Sequence, residues 1–443
     1  MRFRLSELVG KTGGRLIGPD TEVTGMTHDS RMMRPGMLFV ALPGKRHDGH
    51  EFAASAVADG AAAVLVSRRL ESDFPQLLVS DTRQAMGQIA SAWRARLPVT
   101  LVGVTGSNGK TTVKEMIASI LAVAGPTWST QGNYNNEIGM PLTLAELDEN
   151  HRYAVVEMGA ARPGDIQYLA EMARPQVSLI TNAGPAHLET MGSLEGVART
   201  KGEIYDALGD DGIAVINADD RFADDWRERA APRDIVTFGM AADADVRGIA
   251  DRGQLRIILR DGEFLFRPVL PGRHNLLNAL AALAVGKALS IPMEPAIAAL
   301  ERMTGLPGRL QVRHHPAGWT LVDDTYNANP ASLYAGLQVL EELGGERWLV
   351  LGDMAELGPD SDKLHAEMGQ AAADLGVRRM FCLGPSSRYG CEAFGDGGAH
   401  FDTHRELVAA LQAELHAGVN CLVKGSRSMA MEQVVTGLLG GTG

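Results

Sequence analysis

The segment that most constrains the fold lies at residues 100–121, where a short apolar strand leads through a glycine-rich loop into a helical pattern. Residues 100–104 read as the strand, and the loop is formed by residues 103–112, GVTGSNGKTT. The apolar positions that follow at helical spacing are Val113, Met116, Ile117, Ile120 and Leu121. In such a unit the glycines let backbone N–H groups approach phosphate oxygens, and the helix N-terminus adds a partial positive charge. The segment therefore predicts a phosphate-binding loop within an α/β domain.

The loop departs from the strict pattern G-x-x-x-x-G-K-[ST], because Val104 stands five residues before Gly109. A glycine-rich turn without a ligand is the alternative, but the strand before the loop and the helix after it favour nucleotide binding. We expect Lys110 to reach the β and γ phosphates of ATP, and Thr111 or Thr112 to offer a hydroxyl to Mg²⁺. The predicted ATP-binding residues of the loop are Gly106, Ser107, Asn108, Gly109, Lys110, Thr111 and Thr112.

The central part of the chain alternates strand candidates with helical or polar sequence. Strand candidates lie at residues 153–157, 177–181 and 212–217, a pattern that predicts a mostly parallel sheet. Further on, two strands at residues 255–260 and 263–267 flank Asp261-Gly262, which predicts a hairpin with a two-residue turn. We therefore expect some antiparallel structure at the end of this domain.

After residue 309 the alternation of strands and helices restarts, which predicts a separate doubly wound domain. Its strand candidates lie at residues 320–322, 348–351, 379–383 and 420–423. A chain of 443 residues is long enough for about three domains. The predicted fold class is α/β, with a small N-terminal domain at residues 1–98, a central domain with a sheet like that of phosphate-loop ATPases at 99–312, and a Rossmann-like domain at 313–443.

Composition argues against several classes of function. The net charge of -12, with lysines and arginines scattered along the chain, argues against nucleic-acid binding. No apolar run approaches the roughly 18 residues of a membrane span, and residues 1–14 lack the apolar stretch of a signal peptide. Cys382, Cys391 and Cys421 have no C-x-x-C spacing and fit a reducing compartment better than a disulfide framework or a zinc site. We expect a cytoplasmic protein.

Two charged residues are candidates for a functional role because of their places in predicted elements. Glu157 ends a strand candidate, so its carboxylate points from the carboxyl edge of the sheet towards the loop, where it could hold Mg²⁺. An ordinary strand-ending glutamate is the alternative. Lys201 falls in the middle of an apolar helical face made by Leu194, Val197, Ala198, Ile204, Tyr205 and Leu208. A lysine is rarely buried without a purpose, although its stem can pack while the ammonium reaches water.

Asparagines mark two predicted helix starts. Asn275 and Asn278 open a predicted helix at residues 278–289, and capping of that helix is the default interpretation of both amides. Asn329-Pro330 reads as a helix N-cap followed by proline at the first helical position.

Residues 105–112, TGSNGKTT, resemble the nucleotide loop of the Mur ligases and of their relative folylpolyglutamate synthase. Three further segments resemble the Mur ligase that adds D-alanyl-D-alanine to a UDP-linked muramoyl tripeptide: residues 130–139 (TQGNYNNEIG), 351–358 (LGDMAELG) and 424–429 (KGSRSM). The Asp-Asn-Pro-Arg motif of the diaminopimelate-adding member is absent, and residues 109–112, GKTT, replace the Gly-Lys-Gly-Ser of folylpolyglutamate synthase. The resemblance covers essentially the whole chain.

The resemblance implies an activity, with ATP and Mg²⁺ as cofactors. The γ-phosphoryl group of ATP passes to the terminal carboxylate of UDP-N-acetylmuramoyl-tripeptide, and the amine of D-alanyl-D-alanine attacks the resulting acyl phosphate. The protein then mainly positions the reactants and neutralises charge. The implied partners are these small molecules, and we expect a monomer.

The resemblance also implies residue roles. The catalytic residues are Lys110, Glu157, His187 and Lys201, and the metal ligands are Thr111, Glu157, His187 and Lys201 as a carbamate. Asn275 and Asn278 contact the adenine nucleotide, Arg309 its phosphates and Asp323 its ribose. The substrate-binding residues are Ser30 and Arg31 for UDP, and Asn133, Asn135, Asn136, Asp353, Lys424, Ser426 and Arg427 elsewhere.

A nucleotide-gated switch that makes no bond is the alternative class of function. The acidic residues beyond the loop favour chemistry over such a switch. The sequence leaves open whether the third residue of the tripeptide is diaminopimelate or lysine, and how wide the tolerance for the dipeptide is.

Overall fold

The computed structural model describes residues 1–44, 47–185, 187–241, 243–251 and 253–440. These residues form three α/β units, each built on its own main sheet, which we name the N-terminal, central and C-terminal units. The predicted α/β class is confirmed. None of the helices in the described ranges is both long and apolar enough to cross a membrane.

The N-terminal unit is a small, mostly parallel sheet with helices against it. Its strands are β1 (Phe3–Arg4), β2 (Arg15–Ile17), β3 (Glu22–Val23), β4 (Met26–Thr27), β5 (Leu38–Val40), β6 (Ala63–Val66) and β7 (Gln76–Leu78), and its helices are α1 (Leu5–Thr12), α2 (Ala53–Ala58) and α3 (Thr82–Arg94). The main sheet has the order β2-β7-β6-β5-β4, and β2 is its antiparallel member. Strands β1 and β3 form a separate antiparallel pair. Asp81 starts α3, because its carboxylate accepts hydrogen bonds from the first backbone N–H groups of that helix.

The central unit contains the predicted mostly parallel sheet. Its strands are β8 (Thr100–Thr105), β9 (Thr127–Ser129), β10 (Tyr153–Glu157), β11 (Val177–Ile180), β12 (Ile213–Asn217), β13 (Asp234–Gly239), β14 (Val246–Asp251), β15 (Gln254–Leu259) and β16 (Gly262–Phe266). Its helices are α4 (Lys110–Ala122), α5 (Gly139–Ala145), α6 (Asp165–Ala173), α7 (Leu188–Met191), α8 (Leu194–Asp206), α9 (Ala223–Ala230), α10 (Arg273–Ala288) and α11 (Met293–Glu301). The sheet order is β16-β15-β14-β13-β12-β11-β8-β10-β9. Pairing is parallel from β9 to β14, so the carboxyl ends of these strands share one edge.

The predicted hairpin is present, but its turn is shifted by one residue. Gly262 pairs with Leu259 as the first residue of β16, so the two-residue turn is 260–261 rather than Asp261-Gly262. This register places Leu255 opposite Phe266 and Ile257 opposite Phe264. Cross-strand pairs between aliphatic and aromatic side chains stabilise a hairpin, which explains the observed register.

The C-terminal unit is the predicted second doubly wound sheet. Its strands are β17 (Gln311–His314), β18 (Thr320–Asp324), β19 (Glu346–Gly352), β20 (Arg379–Leu383), β21 (Gly398–Phe401) and β22 (Val419–Lys424), and its helices are α12 (Pro330–Leu343), α13 (Ser361–Asp374), α14 (Ser387–Phe394), α15 (His404–Glu414) and α16 (Glu432–Leu439). The order is β17-β18-β22-β19-β20-β21, with β17 antiparallel to β18 and the other pairs parallel. The predicted start of α12 is confirmed, because Asn329 caps it and Pro330 is its first residue.

The units differ in how they share apolar cores. One cluster joins residues of the N-terminal unit, including Met86 and Ile89 of α3, with residues of the central unit, including Met140 and Leu144 of α5. The buried Arg94 side chain strengthens this junction, since it donates hydrogen bonds to the backbone carbonyls of Leu97, Val99 and Ala173. The two clusters on the faces of the C-terminal sheet contain residues of that unit alone. The N-terminal and central units are thus packed as one body.

Candidate functional site

A cleft of about 1960 Å³ opens where the three units meet. The carboxyl ends of β8 and β10 form its floor, since the glycine-rich loop and Glu157 line it. Asp81 and Arg83 of the N-terminal unit and Asp323 and Arg427 of the C-terminal unit line it too. Ligands of parallel sheets bind beyond the carboxyl ends of the strands, so this cleft is the candidate site.

The glycine-rich loop connects β8 to α4 as predicted. Gly109 has φ +80°, and a Cβ atom there would lie 2.6 Å from the Asn278 side-chain oxygen. Gly106 leaves even less room, because a Cβ atom would meet the Thr181 hydroxyl at 1.8 Å. Both positions therefore require glycine for conformation and for space.

Lys110 folds back over its own loop. Its Nζ donates hydrogen bonds to the backbone carbonyls of Gly106 at 2.8 Å and Ser107 at 3.4 Å. Burial lowers the pKa of this ammonium group, and the Glu157 carboxylate opposes that shift. A cation held over carbonyl oxygens at the mouth of a phosphate loop can turn towards an anionic ligand.

Glu157 bridges two segments that are distant in sequence. Its Oε2 accepts a hydrogen bond from the Thr111 hydroxyl at 2.7 Å, and its Oε1 accepts one from Asn135 Nδ2 at 2.7 Å. Its backbone N–H donates to the Thr130 hydroxyl at 3.0 Å. The carboxylate thus ties the start of α4 to residues 130–139. A carboxylate and a hydroxyl this close are the oxygen donors that Mg²⁺ takes beside phosphate groups.

The predicted burial of Lys201 in α8 is confirmed, since only 2% of the residue is exposed. Burial, together with a smaller effect of the Lys110 charge, lowers the pKa of its ammonium group to about 7. Ser193 caps the helix that carries it, with the hydroxyl accepting a hydrogen bond from Gly196 N–H at 3.1 Å. Lys201 therefore presents a partly neutral amine to the cleft that it lines.

His187 lies in the turn after β11 with φ +52°, a left-handed conformation that is rare outside glycine. Its Nδ1 is 3.4 Å from Glu356 Oε2 of the C-terminal unit. Burial lowers the pKa of the imidazole, the Glu356 carboxylate opposes this shift, and the Lys201 charge adds to it. The neutral ring that results can act as a ligand.

Asn275 and Asn278 do not cap a helix, so that default interpretation is wrong. Helix α10 begins at Arg273, five residues earlier than predicted, and its cap position is Gly272. Asn275 Nδ2 donates to the Pro271 carbonyl at 2.7 Å, and Asn278 Nδ2 donates to Asn275 Oδ1 at 3.0 Å. Both side chains are buried inside the cleft wall, and Asn278 lies against Gly109 of the loop.

Arg309, in the segment just before β17, and Asp323 of the C-terminal unit line the opposite side of the cleft. The Arg309 guanidinium lies 4.0 Å from the centre of the Tyr326 ring. Its Nε is buried and has no hydrogen-bond partner among the described residues. Asp323 accepts a hydrogen bond from the Thr325 hydroxyl at 2.7 Å. Lys424, also on this wall, is buried in an ion pair with Asp324 and donates to the Asn327 carbonyl at 2.9 Å.

Four of the predicted site residues are not among those that line the cleft. Ser30 and Arg31 lie in a 3-10 turn of the N-terminal unit, where Arg31 pairs with Asp29 at 2.6 Å. Asp353 turns inward, and its Oδ1 accepts hydrogen bonds from the N–H groups of Ser386 and Ser387 at the start of α14. Ser426 accepts a hydrogen bond from the Ala355 N–H at 2.6 Å. Their substrate roles stay predictions.

The remaining predicted residues line the cleft. Asn133, Asn135 and Asn136 lie on one wall, and Arg427 lies on another, 3.1 Å from Glu432. Asn136 Oδ1 also accepts the N–H of Gly139 at 2.8 Å and so shapes the entry to α5.

Sequence reasoning missed Lys114, a lysine of α4 that is 1% exposed. Its Nζ donates to the Thr130 carbonyl at 2.5 Å and pairs with Glu115, which anchors residues 130–139 beside the loop. The same signal that marked Lys201 was present here, because Lys114 shares a helical face with Ile117 and Leu121.

Three family models match the chain in order. Residues 22–94 match the description "Mur ligase family, catalytic domain", residues 104–286 match "Mur ligase middle domain", and residues 308–427 match "Mur ligase, glutamate ligase domain".

Relatives that match nearly the whole chain carry the name of a ligase. A protein of Escherichia coli named UDP-N-acetylmuramoyl-tripeptide--D-alanyl-D-alanine ligase is 42% identical, covering 98% of both chains. A protein of Bacillus subtilis with the same name is 34% identical over 96% of both chains.

Solved structures agree with these relatives. MurF from Acinetobacter baumannii superposes with a TM-score of 0.92 at 34% identity, covering 99% of both chains. MurF from Thermotoga maritima in complex with ADP superposes with a TM-score of 0.82 at 29% identity, covering 94% of this chain and 97% of that one.

Proposed function

Since the chain belongs to the Mur ligase family, we propose that it is the ATP-dependent ligase that adds D-alanyl-D-alanine to UDP-N-acetylmuramoyl-tripeptide. The products are ADP, phosphate and UDP-N-acetylmuramoyl-pentapeptide, a precursor of peptidoglycan. The observation that carries this proposal is the meeting of the phosphate loop, Glu157 and Lys201 in one cleft, within a chain 42% identical to a relative of that name.

The reaction divides into two steps. A carboxylate oxygen of the tripeptide attacks the γ-phosphorus of ATP, which forms an acyl phosphate and releases ADP. The amine of the dipeptide then attacks the acyl carbon, phosphate leaves with the bonding electrons, and the amine loses a proton as the amide forms. Lys110 reaches the β and γ phosphates and neutralises charge as it builds up on their oxygens.

The residues of the cleft fit a bound Mg²⁺. Thr111 and Glu157 offer oxygens 2.7 Å apart. No group of three acidic, histidine or cysteine side chains that could hold a metal converges in the part of the chain that the structure describes, and this cleft is no exception. A site with few protein ligands suits Mg²⁺, which completes its shell with phosphate oxygens and water. We propose Thr111, Glu157, His187 and modified Lys201 as Mg²⁺ ligands, with modified Lys201 holding a second ion beside His187. When bound, the ion neutralises the phosphate oxygens and orients them.

The proposed modification of Lys201 is a carbamate. Its neutral amine attacks CO₂ and loses one proton, which leaves an anionic N-carboxylate. A buried cation is costly, whereas an anion beside a metal ion is paired. The pKa of about 7 supports the proposal, because about half of the amine is unprotonated at neutral pH.

The other roles follow the position of each residue. Asn275, Asn278, Arg309 and Asp323 line the cleft around the loop and are proposed nucleotide contacts. Asn133, Asn135, Asn136, Lys424 and Arg427 are proposed contacts of the muramoyl peptide or the dipeptide. We assign UDP to the domain at residues 1–98, ATP to 99–312 and closure over the reactants to 313–443. We also propose a reducing, cytoplasmic location, which the three free, buried cysteines support, and a monomeric state.

Phosphate release tests this function. The purified protein with ATP and Mg²⁺ should release phosphate rapidly only when both UDP-N-acetylmuramoyl-tripeptide and D-alanyl-D-alanine are present. Separate assays with the diaminopimelate and lysine tripeptides identify the preferred substrate. Equal release with ATP alone would instead support a nucleotide-driven switch.

A further inference from the structure

We propose that the hydrogen bond between Asn108 and Asn329 couples nucleotide binding to closure of the C-terminal unit, so that Asn329 is a positioning residue of the reaction. Asn329 Nδ2 donates to Asn108 Oδ1 at 2.8 Å, between residues 221 apart in the chain. Asn108 belongs to the phosphate loop, and Asn329 precedes α12 in the C-terminal unit. We call this hydrogen bond the asparagine bridge. Its role in catalysis rests on the ligase function proposed above.

On the central side, Asn108 is held to the end of β11. Its backbone N–H donates to Asn182 Oδ1 at 3.0 Å. Its carbonyl accepts hydrogen bonds from the Thr181 hydroxyl at 2.6 Å and from Asn182 Nδ2 at 3.1 Å. These contacts leave the side chain as the part of Asn108 that faces the C-terminal unit. A phosphate that orders the loop therefore also orders the acceptor of the asparagine bridge.

On the C-terminal side, the orientation of Asn329 is fixed by the helix it caps. Asn329 Oδ1 accepts the N–H of Ser332 at 2.8 Å, and the Ser332 hydroxyl accepts the N–H of Asn329 at 3.0 Å. One amide thus uses its oxygen for α12 and its nitrogen for the phosphate loop. The asparagine bridge consequently joins two rigid elements, and a movement of one unit relative to the other breaks it.

The asparagine bridge spans the interface that must close during the reaction. Arg309 and Asp323 lie on the same wall as Asn329, and the contact of His187 with Glu356 crosses the same interface. An acyl phosphate is lost to water if the cleft stays open, so closure has to follow nucleotide binding.

The helix cap allows the asparagine bridge to be removed alone. In Asn329→Ser the hydroxyl still caps α12, since serine caps as well as asparagine, but it is too short to reach Asn108. Ser332→Ala is the matched control, because it removes the reciprocal hydroxyl of the cap and leaves the asparagine bridge intact.

We expect Asn329→Ser to lower kcat/KM for pentapeptide formation about fivefold, the effect of one neutral hydrogen bond. We also expect it to release more than one phosphate per amide formed, because an open cleft admits water. Ser332→Ala should keep the wild-type ratio of phosphate to amide. In a double-mutant cycle, the variant that combines Asn108→Ala with Asn329→Ser should have nearly the same kcat/KM as Asn108→Ala alone, because either substitution removes the asparagine bridge.

Small-angle X-ray scattering with a non-hydrolysable ATP analogue and Mg²⁺ tests closure without catalysis. The wild type and Ser332→Ala should become more compact on binding, whereas Asn329→Ser should not. The proposal would be overturned if Asn329→Ser kept both the wild-type ratio of phosphate to amide and the wild-type compaction. It would also be overturned if Ser332→Ala lost both to the same extent as Asn329→Ser. A wild type that binds the analogue and compacts but forms no pentapeptide would refute the ligase function and leave the coupling supported.

Discussion

Lys110 and Lys201 both line the cleft, but their surroundings suit them to different roles. Lys110 contacts the carbonyls of its own loop, which places its charge where phosphates bind. Lys201 is enclosed by the apolar face of α8, which favours its neutral form. One lysine is thus suited to act as a cation and the other to be modified.

Lys110→Ala should abolish turnover while leaving the fold intact. The loop backbone is set by Gly106 and Gly109, so the truncation removes a charge and little structure. Loss of one charge-stabilising donor lowers the rate by about 100-fold or more. Steady-state kinetics and a thermal melt measure the two effects, and unchanged kinetics would assign the loop a purely structural role.

Lys201→Ala should be nearly inactive and depend less steeply on Mg²⁺, because the proposed carbamate ligand is lost. A short carboxylate such as acetate should restore part of the activity by occupying the vacated space. Lys110→Ala is the control, since the same carboxylate cannot replace a cation. Full activity in Lys201→Ala, or equal rescue of both variants, would contradict the carbamate.

Carbamate formation should depend on pH with a defined sign. Because the pKa of Lys201 is lowered to about 7, the neutral amine increases from about a tenth at pH 6 to about nine tenths at pH 8. Enzyme depleted of CO₂ should therefore recover activity faster at pH 8 than at pH 6 when equal dissolved CO₂ is added. Recovery that is faster at pH 6 would contradict a reactive Lys201 amine.

At the scale of elements, the site depends on how closely α10 approaches the loop that starts α4. Asn278 of α10 lies against Gly109, so the nucleotide loop and the proposed adenine contacts form one surface. The hydrogen bond from Asn278 to Asn275 keeps both amides oriented along that surface.

Gly109→Ala should raise the KM for ATP about tenfold or more. The new methyl group would meet Asn278 at 2.6 Å and would also hold alanine at φ +80°, at a cost of about 1–2 kcal/mol in backbone strain. Gly13→Ala is the matched control, since Gly13 has φ +63° at the end of α1 but no atom within 4 Å of the added Cβ. Its thermal stability should decrease while its KM for ATP stays at the wild-type value. Equal KM values for ATP in the wild type, Gly109→Ala and Gly13→Ala would contradict the close approach of Asn278 to Gly109.

At the scale of the whole molecule, the shared apolar core makes the N-terminal and central units one folding body. Helix α3 packs on α5 and α6, and the Trp93 indole donates to the Leu147 carbonyl at 2.8 Å. The C-terminal unit has its own cores, and polar contacts join it to the loop and to His187. Such a unit can move without exposing a large apolar surface.

Fragments of the chain should fold or fail to fold according to whether they keep the core shared by the N-terminal and central units. A fragment of residues 1–312 should unfold in one cooperative transition, because it keeps the shared core. A fragment of residues 99–443 should bind a hydrophobic dye and aggregate, because Met140 and Leu144 lose their partners in α3. Circular dichroism melts and dye fluorescence measure both outcomes. A soluble, dye-free 99–443 fragment would show that the two units fold independently.

The sequence by itself determined the local parts of this protein. The phosphate loop, the end of β10 at Glu157 and the buried face of α8 around Lys201 follow from the spacing of residues within about twenty positions. The α/β class and the renewed alternation of strands and helices after residue 309 were predictable for the same reason, since the spacing of apolar residues is a property of neighbouring positions.

Only the tertiary structure decided how these parts meet. It placed Asn278 against Gly109 instead of at a helix cap, and it turned Asp353 inward to start α14. It also joined Asn108 to Asn329 across 221 residues. Asparagine and aspartate side chains satisfy caps, turns and ligands with the same hydrogen bonds, so their local sequence leaves these roles open. Which bond forms depends on the packing of sheets that lie far apart in the chain.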